Sequence, residues 1–492
     1  MPGGNLVILS LPTTLVELRR QIVDDEVSIA QALATQRSLL DLDPTHWHSI
    51  VDTLDESSVE PVHSGSLTGV GLAHKDIFII DSHRPHCGAK ADHLSLPTAP
   101  SSPLFQRLKQ CGASVLATLT MAEYASGVTG ENPGTPLPQN PLFPGAMVGG
   151  SSSGSAVAVA AGLCYASLGT DTAGSVRIPA ASCGILGLKP TRGLLSTEGC
   201  YPLAPTLDTV GILARSARDA AQVLAATLTE SERHAYLPGF RLTDSSLQSS
   251  RWHEILSQDL ELPALTRIAY CVTHNSPHVQ LHDDQRQVIE HYLNELSESV
   301  SSVAPAKLDG MSEWVRLANV VMHVEAATTH FKALQSGAGI NHITRATALP
   351  GTVIPAPWYA SALRHAPTHQ AKFLETHLQN HDILLTPVFP EGVPDWEDVI
   401  TDSERFKPQM LLGLFSWTSF VNYLGLPAVV FPIGRDARNR PVSIQAIGRP
   451  HSEQVLLALA HQHERQHYGE AGFVTAPPAL CHNLISRDQQ HA

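Results

Sequence analysis

Three things are scarce in this sequence, and each scarcity excludes something. Cysteine comes first: Cys87, Cys111, Cys164, Cys183, Cys200, Cys271 and Cys481 are scattered, with no two close enough for a Cys-x-x-Cys pair. An odd, dispersed set argues against a disulfide framework and fits reduced thiols. Positive charge is next. The 32 Lys and Arg against 46 Asp and Glu leave a net charge of −14, which disfavours non-specific binding to nucleic acid or an anionic membrane surface. Long apolar runs are also missing. Nothing approaches the ~20 residues of a membrane span, and MPGGNLVILSLPTTL has neither the basic residues nor the apolar length of a secretion signal. The expectation is a cytoplasmic protein with no membrane or nucleic-acid partner.

What is present is a globular pattern. Hydrophobic residues at 43% against 16% charged can build a core, so wholesale disorder is not expected. Residues 1–65 read as an N-terminal helical segment, with three- and four-residue apolar spacing over 11–60. From about 66, strands alternate with helices, which predicts an α/β architecture. GVGLAHKDIFII reads as a strand entering a turn, and SVLATLTMAEYA as a strand running into a helix. Further strands are expected at 164–168, 266–272, 381–390 and in the runs ending at Gly434 and Gly448. Residues 311–335 and SEQVLLALAHQHERQH read as helices. The stretch 230–262 reads as loop with short helices, and 340–365, rich in Pro, Thr and Ala, fits no element. Residues 476–492 form a tail, frayed at its end.

Two loops carry the chemistry. Gly149-Gly-Ser-Ser-Ser-Gly-Ser155 leads directly into AVAVAAG. A Gly/Ser run is often a linker, but linkers seldom lead into a helix of small, closely packing residues. A phosphate cradle is a second reading, weakened because no Gly-Lys-Ser/Thr closes the run. A rigid catalytic loop is the third. The second loop, Gly169-Thr-Asp-Thr-Ala-Gly-Ser175, strengthens the third reading. A serine after a Gly-containing turn can present its hydroxyl beside backbone N–H donors that stabilise an oxyanion. Alone, Ser175 would be an ordinary turn serine, and Lys75 alone a surface lysine beside Asp76.

Together, GGSSSGS, GTDTAGSVRIPA and CGILGLKPT, in that order, resemble the amidase signature family. HKDIF around Lys75, GLPAVVFPIG at 425–434 and VSIQAIGRP at 442–450 extend the likeness over about 66–470. TGENP at 129–133 resembles plant-type indole-acetamide amidases. The resemblance implies one large domain over 66–475, with a central mixed β-sheet covered by helices on both faces. Its substrate pocket is expected to vary over about 230–380. It implies a Ser–Ser–Lys triad: Ser175 as nucleophile, Ser151 as bridging serine at a cis peptide bond, and Lys75 as base. The N–H groups of Thr172, Ala173, Gly174 and Ser175 become oxyanion donors, and Ala125, near Gly127, lines the substrate site. The implied reaction is hydrolysis of a carboxylic amide, carbamate or ureide through an acyl-enzyme on Ser175. It needs no cofactor or metal, and a homodimer is the expected assembly. Lysine serves as base if burial lowers its pKa from near 10.4 by about three units.

Other readings remain beside this one. A glutaminase subunit of a tRNA-dependent amidotransferase would use the same triad, and an inactive amidase-like scaffold is the alternative of a different class. Asp171 and Arg177 read as an ion pair holding the nucleophile loop. Departures from the family pattern are Ser153 and Ala173, where glycine is usual, and Ala117–Thr120 in place of a lysine-containing block. Ala173 would be strained if its backbone needed positive φ. Among 26 histidines, His463 and His467 have a ligand-like spacing but no evident third ligand. His83, His86 and Cys87 read as surface polar residues.

Overall fold

The computed structural model describes residues 10–54, 65–89, 101–228, 260–273, 281–336 and 339–480. The polar stretch beyond 228 and the end of the tail lie largely outside them. Helices α1 (Leu15–Val23) and α2 (Ile29–Leu40) start where their caps predict: Thr14 accepts from the Glu17 N–H, and Ser28 forms a capping box with Gln31. The helical reading of 11–60 fails at its end. The Asp43 carboxylate accepts the Ser49 and Ile50 N–H groups, His48 takes φ 54°, and β1 (Ile50–Thr53) follows. β1 lies antiparallel to β3 (Ser114–Leu119), which runs parallel to β2 (Gly71–Lys75).

A second sheet has eight strands in the order β4-β6-β5-β10-β11-β9-β7-β8. They are β4 (Ala166–Asp171), β5 (Leu186–Lys189), β6 (Thr209–Ala214), β7 (Arg267–Tyr270), β8 (Ser302–Pro305), β9 (Ile383–Pro387), β10 (Ala428–Arg435) and β11 (Pro441–Gly448). β7 is parallel to β8 and β9, and the other pairings are antiparallel, so the sheet is mixed as expected. Side-chain alternation along a strand sends neighbours to opposite faces, and here each face has its own apolar cluster. Ile268, Ile383, Leu385, Val429 and Ala446 join one, with Ile289 and Leu293 of α7 (Asp283–Ser297) and Leu456 of α10 (Glu453–His467). Ala269, Leu384, Ala428 and Ile447 join the other, with Trp314 of α8 (Met311–Thr329) and Phe373 of α9 (Ala356–His377). Helices therefore cover both faces of a single α/β domain.

Four more helices frame the site region: α3 (Pro103–Gln110), α4 (Ser153–Ala161), α5 (Arg177–Cys183) and α6 (Ala217–Thr227). All nine residues of α4 are buried. Small side chains permit this: a Cβ on Gly154 would stand 2.6 Å from both the Ser49 carbonyl oxygen and the Thr120 nitrogen. Two further expectations are corrected. No helix follows β3; Glu123–Ala125 is one 3-10 turn, with Tyr124 and Ala125 at φ 50° and 61°. The chain is drawn aside there, because the Glu123 carboxylate accepts from Asn341 N–H and the Thr344 hydroxyl. The stretch 340–365 is mostly helical, including the start of α9. Proline is tolerated at its first turn, and Pro367 lies inside it. The strand expected at 164–168 runs instead over Ala166–Asp171. Among the described residues, no helix is long and apolar enough to cross a membrane.

Candidate active site

Lys75 ends β2, and the two serine loops open at α4 and α5, so the site lies where the small sheet meets the large one. His74 fastens that junction, its Nδ1 accepting the Leu168 N–H of β4 at 3.0 Å. Ser167 of β4 donates to Ser155 of α4 at 2.9 Å. Lys75 is fully buried. Its Nζ donates to Ser151 Oγ at 2.7 Å and to Thr170 Oγ1 at 2.9 Å. Burial lowers its pKa from 10.5 to about 7, against the opposing charges of Asp208 and Asp171. A lysine near neutrality can accept a proton.

The Gly150–Ser151 peptide is cis. Gly150 has no room for a side chain: its Cβ would stand 2.7 Å from Gly127 O and 2.8 Å from Gly130 N. The TGENP stretch thus packs against the first serine loop. Ser152 N–H donates to Ser175 O at 3.2 Å, stitching the two loops together. Ser175 is partly exposed, unlike Ser151 and Lys75. Its hydroxyl has no hydrogen-bond partner among the described residues, so it is available to a ligand.

Of the four expected oxyanion donors, Gly174 is corrected. Its N–H donates to Asp171 Oδ1 at 2.9 Å, which leaves the Thr172, Ala173 and Ser175 N–H groups. Gly174 is needed for another reason: at φ 135°, a Cβ would stand 2.6 Å from Thr418 Oγ1. Ala173 carries no such strain, since its φ is not positive. Its carbonyl accepts from Thr418 Oγ1 at 2.6 Å. Ser153 does not add a hydroxyl to the site, because its Oγ faces the Thr120 carbonyl.

Asp171 and Arg177 form the expected buried pair, with two side-chain hydrogen bonds of 2.8 and 3.0 Å. Burial alone would raise the Asp171 pKa, but the Arg177 guanidinium holds it well below the usual carboxylate range. Asp171 also accepts the Gly174 and Val176 N–H groups, so the pair shapes the Ser175 loop directly. Arg177 reaches Thr418 O, Asn422 Oδ1 and Gln445 Oε1 as well. Arg177→Met leaves the carboxylate buried without its cation, and is expected to cost about 3–5 kcal/mol in urea unfolding. An unchanged midpoint would show that the loop holds itself.

Several contributors have no sequence signal that names their role. Thr170 lies within the GTD motif, but nothing in the motif distinguishes it as a partner of Lys75. Gln445 has a usable signal, one amide in the apolar run VSIQAIG. Asn422 has none. Asp208, whose pKa burial raises, accepts from Thr172 Oγ1 at 2.5 Å. Lys189 of GLKPT is fully buried and is also brought to about 7, by burial and then by Arg177. Cys87 is buried rather than a surface residue, its N–H donating to Asp76 O. His463 packs against the rings of Tyr292 and Phe431.

Beside the turn that follows β3, Tyr124, Tyr201, His330 and Ile340 line a cavity of about 390 Å³. The Tyr124 ring centroid lies 5.3 Å from that of Tyr201 and 4.9 Å from that of His330. Burial lowers the His330 pKa to about 4, so its ring is neutral at pH 7, with Nε2 unpartnered. Ala125 follows Tyr124, and Ala122 N–H donates to Ser151 O at 3.1 Å. The cavity wall and Ser151 are thus linked through a few residues of backbone.

A sequence model described as Amidase matches residues 30–457. A glutamyl-tRNA(Gln) amidotransferase subunit of Thiobacillus denitrificans (strain ATCC 25259 / T1) is 30% identical over 82% of this chain and 84% of its own length. Fatty acid amide hydrolase of Arabidopsis thaliana is also 30% identical, over 85% of this chain and 67% of its own. Among solved structures, a crystal structure of an amidase superposes with a TM-score of 0.76 at 26% identity, covering 92% of this chain and 99% of that one. A 6-aminohexanoate cyclic dimer hydrolase, at 21% identity and TM-score 0.76, covers 95% of this chain and 99% of its own and shares the fold. With the family model spanning most of its length, this chain belongs to the amidase family and is an amidase.

Proposed function

We propose that this amidase works alone, through an acyl-enzyme on Ser175 with Ser151 and Lys75 as proton relay. The observation that carries the reading is the 2.7 Å contact between a buried, near-neutral Lys75 and Ser151. Neutral Lys75 takes the Ser151 proton as Ser151 takes that of Ser175. Ser175 Oγ attacks the amide carbonyl, and the Thr172, Ala173 and Ser175 N–H groups receive the oxyanion. The relay returns the proton to the leaving amine, and water then releases the acid.

The cavity beside Tyr124, two residues from the Ala122 N–H that donates to Ser151 O, supports a substrate class. A volume within the usual range for small ligands, walled by two tyrosines and a neutral imidazole, supports a flat acyl group that stacks on those rings. Several of its walls, Thr328 to Ala333 and Gly339–Ile340, fall inside the 230–380 region expected to set specificity. The six cysteines among the described residues are free thiols, which supports the cytoplasmic reading.

A second reading is favoured by one observation: the amidotransferase relative matches as well as the amide hydrolase. Ammonia release from the isolated chain separates the two. Turnover of aryl amides, with aliphatic amides, carbamates and ureides slower and glutamine inert, is the expected pattern. Glutamine-specific release, rising when a partner protein co-purifies, would replace the first reading with the second.

A further inference from the structure

We propose that Asp52, His83 and His86 form a binding site for one divalent transition-metal ion, with zinc as the fitting probe. The residues come from two separate pieces of chain. Asp52 lies on β1, and the two histidines on the loop that follows Lys75. One donor atom from each lies within 4.8 Å of the other two. Metal–ligand bonds to imidazole and carboxylate are about 2.0–2.2 Å, so ligand atoms around a tetrahedral zinc stand roughly 3.3–3.5 Å apart. The His86 Nδ1 to Asp52 Oδ2 separation is already 3.5 Å, long for a charge-assisted hydrogen bond but matched to that spacing. The Asp52 and His86 side chains are 43% and 54% exposed, so they can turn through the ångström or so that separates 4.8 Å from that spacing, and an ion can enter from solvent.

A second observation points the same way. The Asp76 carboxylate is wholly buried and lies 3.3 Å from His83 Nε2 and 3.3 Å from His86 Nδ1. Among the described residues these histidines are its only ion-pair partners. Asp76 holds both rings in place, meeting His83 at Nε2 and His86 at Nδ1 and accepting the His86 backbone N–H at 3.0 Å, and an ion at His86 Nδ1 would exchange that ring contact for a metal bond. Two imidazoles and one carboxylate suit zinc, cobalt or nickel. Calcium and magnesium prefer all-oxygen sites. The remaining coordination positions face solvent and would hold water. A bound ion would fasten β1 to the loop behind the site, independently of what the enzyme hydrolyses.

The test uses the full chain, stripped of metal with a chelator and titrated with zinc by calorimetry, then with cobalt by visible absorption. Wild type is expected to take up one zinc equivalent that Asp52→Asn and His86→Ala bind more than about 100-fold more weakly, since an outer-shell change alone costs 10–100-fold. His463→Ala should keep that equivalent. Zinc should raise the Tm of wild type but not of Asp52→Asn, and excess magnesium should not displace it. Equal zinc uptake by wild type and both site variants, or none by wild type, would overturn the proposal. Both altered side chains are solvent-accessible, and circular dichroism checks that each variant folds.

Discussion

Ser175→Ala is expected to lower kcat by about 10⁴–10⁶-fold while leaving the thermal transition in place. The size follows from the role. Alanine removes the atom proposed to form the acyl bond, and Ser151 Oγ is held by Lys75 rather than in its place. The small effect on stability follows from the surroundings: Ser175 is partly exposed, and its hydroxyl makes no hydrogen bond among the described residues, so nothing is left unpaired. The measurement is covalent labelling by a fluorophosphonate, read by intact mass, alongside amide turnover. Wild type should gain one adduct and Ser175→Ala none. An adduct of equal yield on the variant would move the nucleophile elsewhere.

Lys75→Met should be nearly as damaging to catalysis, yet gentle or favourable for folding. A fall from 10.5 to about 7 means that the folded chain releases the lysine proton long before the unfolded chain does. At about 1.36 kcal/mol per unit, burying this amine costs roughly 5 kcal/mol at and below pH 7. Between pH 7 and 10.5 the unfolded chain holds the extra proton, so the cost shrinks as pH rises and vanishes above 10.5. Methionine avoids it but leaves the Ser151 and Thr170 hydroxyls without their lysine, at about 1–3 kcal/mol each. At pH 7 the variant should therefore match or exceed wild type in stability, and near pH 10 it should fall below. Differential unfolding at the two pH values checks this; a variant less stable at pH 7 by several kcal/mol would mean a charged, well-paired lysine. The same amine sets the activity profile. The kcat/KM of wild type should fall below pH 7 as Lys75 takes up its proton. Lys189 is lowered to about 7 as well, so the profile alone does not assign the limb. Lys189→Met should keep the acid limb if Lys75 owns it.

The triad region was legible because its chemistry is local. Gly149 to Ser155 and Gly169 to Ser175 each hold a loop within seven residues, and their glycines are where a Cβ would collide. The strands were legible as apolar runs because both faces of the large sheet are buried. What stayed hidden depends on distant partners. Glu123 diverts the chain after β3 by reaching 218 residues away to Asn341, and no local pattern encodes that. Gly174 looked like an oxyanion donor until Asp171, three residues back, claimed its N–H. The helix over Ala356–His377 was masked by its prolines, which composition alone reads as breakers.

The two apolar clusters on opposite faces of the large sheet have a consequence for how this enzyme can change. α8 and α9 belong to the second cluster, and α8 ends at the wall of the cavity. α4 and α5, which the two serine loops lead into, belong to the first. Substitutions at Thr328 or Thr329, at the end of α8, share few neighbours with the serine loops, so their effects should add to changes there, whereas Tyr124 and Ile340 of the same wall pack into the first cluster and lack that independence. That freedom stops where the Arg177 guanidinium reaches Thr418 and Asn422 from the first face to the second. A library that spares those two residues explores specificity; one that includes them puts the nucleophile at stake in every round.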